Sequence, residues 1–420
     1  MSCLAPPFPA VIIAVFLTAT LPAADWTQFR GKDALGISDE TGLPSKWSSE
    51  ENVVWKAEMP GPGASSPITL GDQLFITCYS GYGLEPNQGD EKDLIRHLLC
   101  LNRRNGDVNW HKEFEPSLPE HKYEGEGSYH GFAASTPATD GERLYVSFGK
   151  SGVFCFDLDG NQLWQTSVGD GTHRWGSGCS PLLYKNLLIV NASVESGSLV
   201  ALDRMTGKEV WRADGIKSSW NTPLLVPGTD KTELVVSIQD HVISFNPDSG
   251  EEIWRAEGVH RYVCPSVIFH DGLVYVIGGG HTSLAVRIGG SGDVTASHGV
   301  WRVNKGSNVS SPIYHEGHLY WTRDGNIACC QNSATGEMVY EERLQPDSGT
   351  IWSSPVLADG KLFYVSQHNG TFVVAAQPKF ELLAHNVFDD DESRANASPA
   401  VSHGQLLLRT DRNLYCIGAK

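Results

Sequence analysis

A small residue followed by proline and then a short apolar run recurs eight times in this chain. The pairs are Ser66-Pro67, Thr136-Pro137, Ser180-Pro181, Thr222-Pro223, Cys264-Pro265, Ser311-Pro312, Ser354-Pro355 and Ser398-Pro399. Successive pairs lie 42 to 47 residues apart, apart from a first step of 70. A fixed period of that length marks a repeat architecture, in which each unit buries its apolar face only against its neighbours. Within a unit, a turn such as "ADG", "HDG" or "HEG" precedes a second strand, such as "RLYVSF", "LVYVIG" or "HLYWTR". A third strand and a glycine turn follow. A fourth strand then carries a tryptophan, as in "DRMTGKEVW", "NPDSGEEIW" and "DLDGNQLW". Four short strands in roughly 43 residues, repeated, predict a β-propeller.

The expected fold is all-β: an eight-bladed β-propeller of four-stranded blades, with seven blades as the alternative count. The eighth unit stops after its third strand, at "NLYCIGAK", while "ENVVWKAEM" (51–59) precedes the first Ser-Pro pair. That N-terminal strand is expected to complete the last blade, so that the ring is closed and leaves no free edge. The predicted division is a signal peptide at 1–24, an N-terminal extension at 25–50 and the propeller at 51–420. Residues 10–21 are apolar and end in Ala23 and Ala24, which fits a secretory leader and is short for a membrane span. The protein is therefore expected to be exported, periplasmic or secreted, monomeric, and without an integral membrane segment. The net charge of −17 and the lack of any Lys/Arg block exclude nucleic acid as an expected partner.

The tryptophans fall at one repeat position: Trp55, Trp110, Trp164, Trp211, Trp254 and Trp301, with Tyr340 substituting once. A large ring at the same place in each blade is expected to serve blade-to-blade packing. The adjacent Cys329 and Cys330 resemble a redox pair, but counting back from the turn glycine gives another reading. Six residues before Gly106, Gly207, Gly250 and Gly336 stand Cys100, Ala201, Ser244 and Cys330; Cys155 and Cys416 fall in the same slot. Cys330 is thus a small third-strand residue, and Cys329 is its neighbour on the opposite strand face.

"LVALDRMTGKEVWRADG" (199–215) resembles the pyrroloquinoline quinone (PQQ)-type propeller repeat, and the likeness extends over nearly all of 50–420. "DWTQFRG" (25–31) is similar to a motif of exported proteins of planctomycete-type bacteria. The repeat is shared by quinoprotein alcohol dehydrogenases and by the BamB-like scaffolds. The dehydrogenase resemblance implies PQQ over a Trp floor, a vicinal disulfide, a calcium held by Glu, Asn and Asp, and a catalytic Asp. This chain departs from that pattern. Its Cys-Cys pair lies on a third strand, and the blade-entry segments just before the Ser-Pro signals of blades 3 to 7 offer no carboxylate set, Asp347 being the acid noted there. It departs from the scaffolds in lacking a lipobox cysteine.

Ligand-binding candidates come from the fourth-to-first connections, which crowd one mouth of a propeller. They are His130, His173, Arg174, Trp175, Trp220, Asn221, His260, Arg261, Tyr262, Trp352, Arg394 and Asn396, with Asn308 beside them. Aromatics mixed with Arg, His and Asn suit an anionic or sugar-like ligand. The insertions 79–97 and 111–132 are expected on the same face. His121, Glu124, Glu126 and His130 have no standard metal spacing, and no metal is expected. No catalytic residue is assigned and no cofactor is expected. The favoured function is an exported non-catalytic binding or scaffold propeller that engages a protein partner or an extracellular polymer. The alternatives are a PQQ- and calcium-dependent dehydrogenase and a polysaccharide-acting hydrolase or lyase.

Overall fold

The computed structural model describes residues 24–128, 130–228, 231–279 and 281–419. The leader assigned to 1–24 therefore lies, except for Ala24, outside the described residues. The rest forms eight sheets arranged as propeller blades, each built on four antiparallel strands. In blade 3, for example, Leu182–Tyr184, Leu187–Ala192, Ser198–Asp203 and Glu209–Asp214 pair in order. The innermost strand is short because eight of them share the axis. In blade 8, Val53–Glu58 pairs with Asn413–Ile417 and supplies the missing fourth strand. The closure expected from the sequence is the one observed.

The tryptophan position explains the turn glycine. Trp211 of blade 3 lies on Gly250 of blade 4, where an added Cβ would stand 2.5 Å from Trp211 Cε3. The same pairing joins Trp55 to Gly106, Trp110 to Gly160, Trp164 to Gly207 and Trp301 to Gly336. Each indole N–H also donates to the next blade; Trp211 Nε1 reaches Pro247 O at 3.0 Å. A glycine with positive φ therefore makes room for the neighbour's ring, and the two residues act together across blades. Trp254 departs from this pattern. Its Nε1 donates to Glu233 Oε2 at 2.7 Å, and the glycine-rich insertion of blade 5 adds Gly292–Asp293 as a parallel strand on Trp254–Arg255.

The third-strand slot is as the repeat implies: Cys330 pairs with Tyr340, Cys100 with Trp110, and Cys416 with Trp55. Cys329 and Cys330 are buried free thiols on opposite faces, one packed with Trp321 and the other with Tyr320 and Tyr340.

The small residue of each repeat start serves a specific purpose. In blades 2 to 8 its hydroxyl accepts the backbone N–H of the equivalent residue in the preceding blade. The links run Ser66 N to Thr136 Oγ1, Thr136 N to Ser180 Oγ, Ser180 N to Thr222 Oγ1 and Thr222 N to Ser266 Oγ. They continue from Ser266 N to Ser311 Oγ, Ser311 N to Ser354 Oγ and Ser354 N to Ser398 Oγ. All are 2.8–3.2 Å long and all are buried. They form a belt around the axis that satisfies backbone donors which no sheet ladder reaches. The belt also corrects one expectation. In blade 5 the repeat position is Ser266, two residues beyond Cys264, and Val267 stands where the other blades have proline.

The N-terminal extension, residues 25–50, makes contacts with several blades of the ring. Trp26 exchanges hydrogen bonds with Thr69 in the first strand of blade 1, and Thr27 O accepts from Thr139 N in blade 2. Ala34 and Leu35 pack with the cores of blades 4 and 5. Arg30 Nη2 reaches Pro312 O in blade 6, and Ile37 bridges Leu357 in blade 7. The "DWTQFRG" stretch thus crosses the axis at the end opposite the mouth and plugs the channel. Burial of the Arg30 guanidinium pulls its pKa down to about 9.

Candidate functional site

Strand periodicity decides which mouth side chains reach the axis. The belt residue faces inward, so the residue two before it does too, while the one between turns into the blade. The inward pair position holds Ala64, Ala134, Gly178, Trp220, Cys264, Val309, Trp352 and Asn396, one from each blade. All eight line a single axial cavity of about 120 Å³. Belt hydroxyls form its lower wall and Phe29 of the plug forms its floor; His130, Trp175 and Ser177 complete it.

The candidates therefore separate. His130, Trp175, Trp220, Trp352 and Asn396 line the cavity. Trp175 and Trp220 lie 5.0 Å apart between centroids, and Tyr262 meets Trp175 edge-on at 4.5 Å. His173 packs against Trp220 at 4.8 Å, and His130 lies against Trp352 at 5.0 Å. Trp220 is fixed by its indole N–H donating to Gly176 O. His130 is held neutral. Burial lowers its pKa to about 4, helped by the positive charge of Arg394 and by His121.

The remaining candidates stand elsewhere. Asn221 occupies the intervening position and is buried in blade 4, donating to Ser237 O and Ser219 Oγ. His260 is exposed on the rim, paired with Asp240 and Glu257 at 3.1 Å each. Arg261 is exposed, and Arg174 is exposed over the Trp175 ring. Arg394 ties blade 8 to the insertions, pairing with Asp411 and donating to Ser128 O. Asn308 binds Asp324 on the rim. Cys264, used as a repeat marker in the sequence, is a lining residue in the position of Trp220 and Trp352. Aligning blade 5 on Ser266 would have found it. Phe29 carried no periodic signal.

The two insertions fold together. Tyr79, Tyr82, Tyr123 and Phe132 form one aromatic cluster, with Tyr82 and Phe132 centroids 5.5 Å apart. A buried Arg96–Glu120 pair at 2.5 Å fastens them to blade 1. An open groove of about 450 Å³ runs from His121, Lys122 and Glu124 of this cap to Thr172, His173 and Arg174 of blade 3.

A family model described as outer membrane protein assembly factor BamB matches residues 37–176, 95–222 and 195–416. The chain belongs to this BamB-type propeller family. No curated protein matches it. Among solved structures it is similar to BamB from Moraxella catarrhalis, with TM-score 0.60 and 11% identity over 87% of this chain and 98% of that one. It is also similar to a quinohemoprotein alcohol dehydrogenase from Comamonas testosteroni, with TM-score 0.68 and 10% identity over 94% and 81%. A europium-containing methanol dehydrogenase gives TM-score 0.64 and 11% identity over 94% and 98%. At these identities the likeness is one of fold. Both an assembly factor and alcohol or methanol dehydrogenases share this ring, so the fold alone does not discriminate between them.

The site does not fit a quinone with a calcium ion. Calcium takes several oxygen ligands, carboxylates prominent among them. Among the described residues, the cavity lining holds no Asp or Glu, and no Lys or Arg to meet an acidic cofactor. Glu195 stands behind Ser177, accepts its hydroxyl and is pushed toward the neutral form by burial. The cavity is also smaller than the roughly 300 Å³ at which ordinary ligand pockets begin.

Proposed function

We propose that this chain is an exported, non-catalytic docking propeller of the BamB type. Its decorated face engages a protein partner, and the axial mouth receives one uncharged side chain of that partner. The observation that carries this reading is the lining: Trp175, Trp220 and Trp352 around belt hydroxyls, without a formal charge. Rigid aromatics on a preformed surface are the usual anchors of protein recognition. The flanking groove offers Lys122, His173 and Arg174 together with Glu124, a polar rim for a polypeptide lying across the face. The family description and the BamB fold support a protein partner. Export rests on the apolar N-terminal segment. Among the described residues, no helix is long and apolar enough to cross a membrane. Glycoside cleavage would call for two carboxyl groups flanking the bound unit, and this lining supplies none.

The test is site-specific photo-crosslinking in the native host. A crosslinker at Arg174, on the mouth rim, is expected to trap a discrete protein that a crosslinker at Asp72, at the plugged end, does not. Trp220→Ala should abolish the adduct. Equal trapping from both faces would overturn the reading. So would calcium-dependent PQQ binding in calorimetry, or Trp quenching by neutral oligosaccharides with no protein adduct.

A further inference from the structure

Blade 1 carries a second constellation, away from the axis. His97 lies on the third strand, Ile95–Asn102, and His111 and Glu113 lie on the fourth, Val108–Phe114. The register sets His97 opposite Glu113 and Leu99 opposite His111. Residues two apart share a strand face, so all three side chains stand on one side of the blade. His97 Nδ1 is 2.9 Å from His111 Nε2 and 3.7 Å from Glu113 Oε1. The three ligand atoms lie within 4.8 Å of one another, and among the described residues no other His, Cys, Asp or Glu group of three does so.

We propose that His97, His111 and Glu113 form a binding site for a divalent first-row transition ion, with zinc the fitting case. Two ligands of a tetrahedral zinc at its usual bond lengths stand about 3.3 Å apart, and the two distances to His97 bracket that value. Two imidazoles and one carboxylate select such an ion over calcium or magnesium, which take oxygen. The outer partner that a metal-binding histidine needs is in place. His97 Nε2, the nitrogen turned away from the cluster, lies 2.7 Å from Ser80 Oγ. A hydrogen bond there fixes the ring and leaves Nδ1 to face the ion. His97 is buried, while His111 and Glu113 are exposed, so one ligand is rigid and the ion has an open approach. Three protein ligands leave one coordination position for water or for a group from outside.

Calorimetric titration of the chain from Asp25 onward with zinc chloride tests the site, together with the visible absorption of the cobalt-substituted protein. One ion per chain is expected, at about 10 μM or tighter, with a tetrahedral cobalt band. His111→Ala, at an exposed position, should weaken zinc at least about tenfold and remove the band without lowering the metal-free melting temperature. Ser80→Ala should weaken zinc by roughly 10–100-fold if the outer hydrogen bond matters as it does elsewhere. No zinc heat, or wild-type titration curves from both His111→Ala and Glu113→Gln, would overturn the proposal. The 2.9 Å contact would then be a hydrogen bond between two histidines and nothing more.

Discussion

Replacing Ser354 with alanine removes one oxygen from the middle of the belt. Ser354 Oγ accepts from Ser311 N at 3.0 Å, and both residues are almost fully buried. The Ser311 N–H would be left in the interior without a partner, at a cost of about 1–3 kcal/mol. Unfolding entropy of roughly 2.1 cal/mol/K per residue, taken over a chain of this length, converts that cost into a melting-point drop of roughly 1–4 °C. The belt provides its own control. Ser66 sits in the same slot and is equally buried, yet its Oγ has no hydrogen-bond partner among the described residues. Ser66→Ala should therefore shift the melting point by less than about 0.5 °C, within the usual range for changes that break no specific interaction. Ser354→Thr keeps the hydroxyl, as Thr136 and Thr222 do naturally, and should fall near wild type. Differential scanning calorimetry of the three variants decides the matter. Equal losses from Ser66→Ala and Ser354→Ala would show that the slot selects small size alone. No loss from Ser354→Ala would show that water or a shift of the strand replaces the bond.

Three further outcomes follow from the structure. Burial pushes the Cys329 and Cys330 thiols up to about 12, so neither should react with a disulfide reagent at pH 8 until the protein is unfolded; rapid reaction of the native chain, or a mass two hydrogens short for this pair, would refute the strand reading. Gly250→Ala would put a methyl group at φ +75°, 2.5 Å from the Trp211 ring; the backbone alone costs about 1–2 kcal/mol, so the loss in calorimetric stability should exceed that, whereas Gly215→Ala, with positive φ and open space around it, should show the backbone cost only. His130 titrates near 6.5 when unfolded and about 4 when folded, so between those values the unfolded chain holds more protons and stability falls as the pH is lowered through the window; His130→Asn should flatten that part of the pH–stability curve, and an unchanged slope would refute the assignment.

What was legible in the sequence is what strand pairing repeats. Trp211 and Ala201 face each other across a ladder, and any blade built alike must place a large ring opposite a small residue at the same spacing. The blade count, the closure by Trp55 and the sense of Cys330 all follow from that local rule. The belt obeys a different one. Each hydroxyl is defined by a partner one whole blade away, such as Thr136 Oγ1 for Ser66 N, so no window along the chain contains both halves of the bond. Proline was the visible marker, but the function lies in the hydroxyl. In "HRYVCPS" the two separate, so the proline marks Cys264 while the belt keeps Ser266. That shift of two residues hid the symmetry of the mouth. His260 and Arg261, drawn from the same segment, stay on the rim, while Cys264 takes the axial position. The plug has no period at all, because it is one segment serving several blades at once. Arg30 can reach Pro312 O only because the chain crosses the axis. A ring of eight blades leaves an axial opening that the short inner strands do not fill, and "DWTQFRG" supplies an indole, a phenyl ring and a guanidinium to close one end of it. Closing that end is what turns an open channel into a blind, uncharged cavity at the mouth, and a blind cavity can hold an anchoring side chain where a through-channel would hold water.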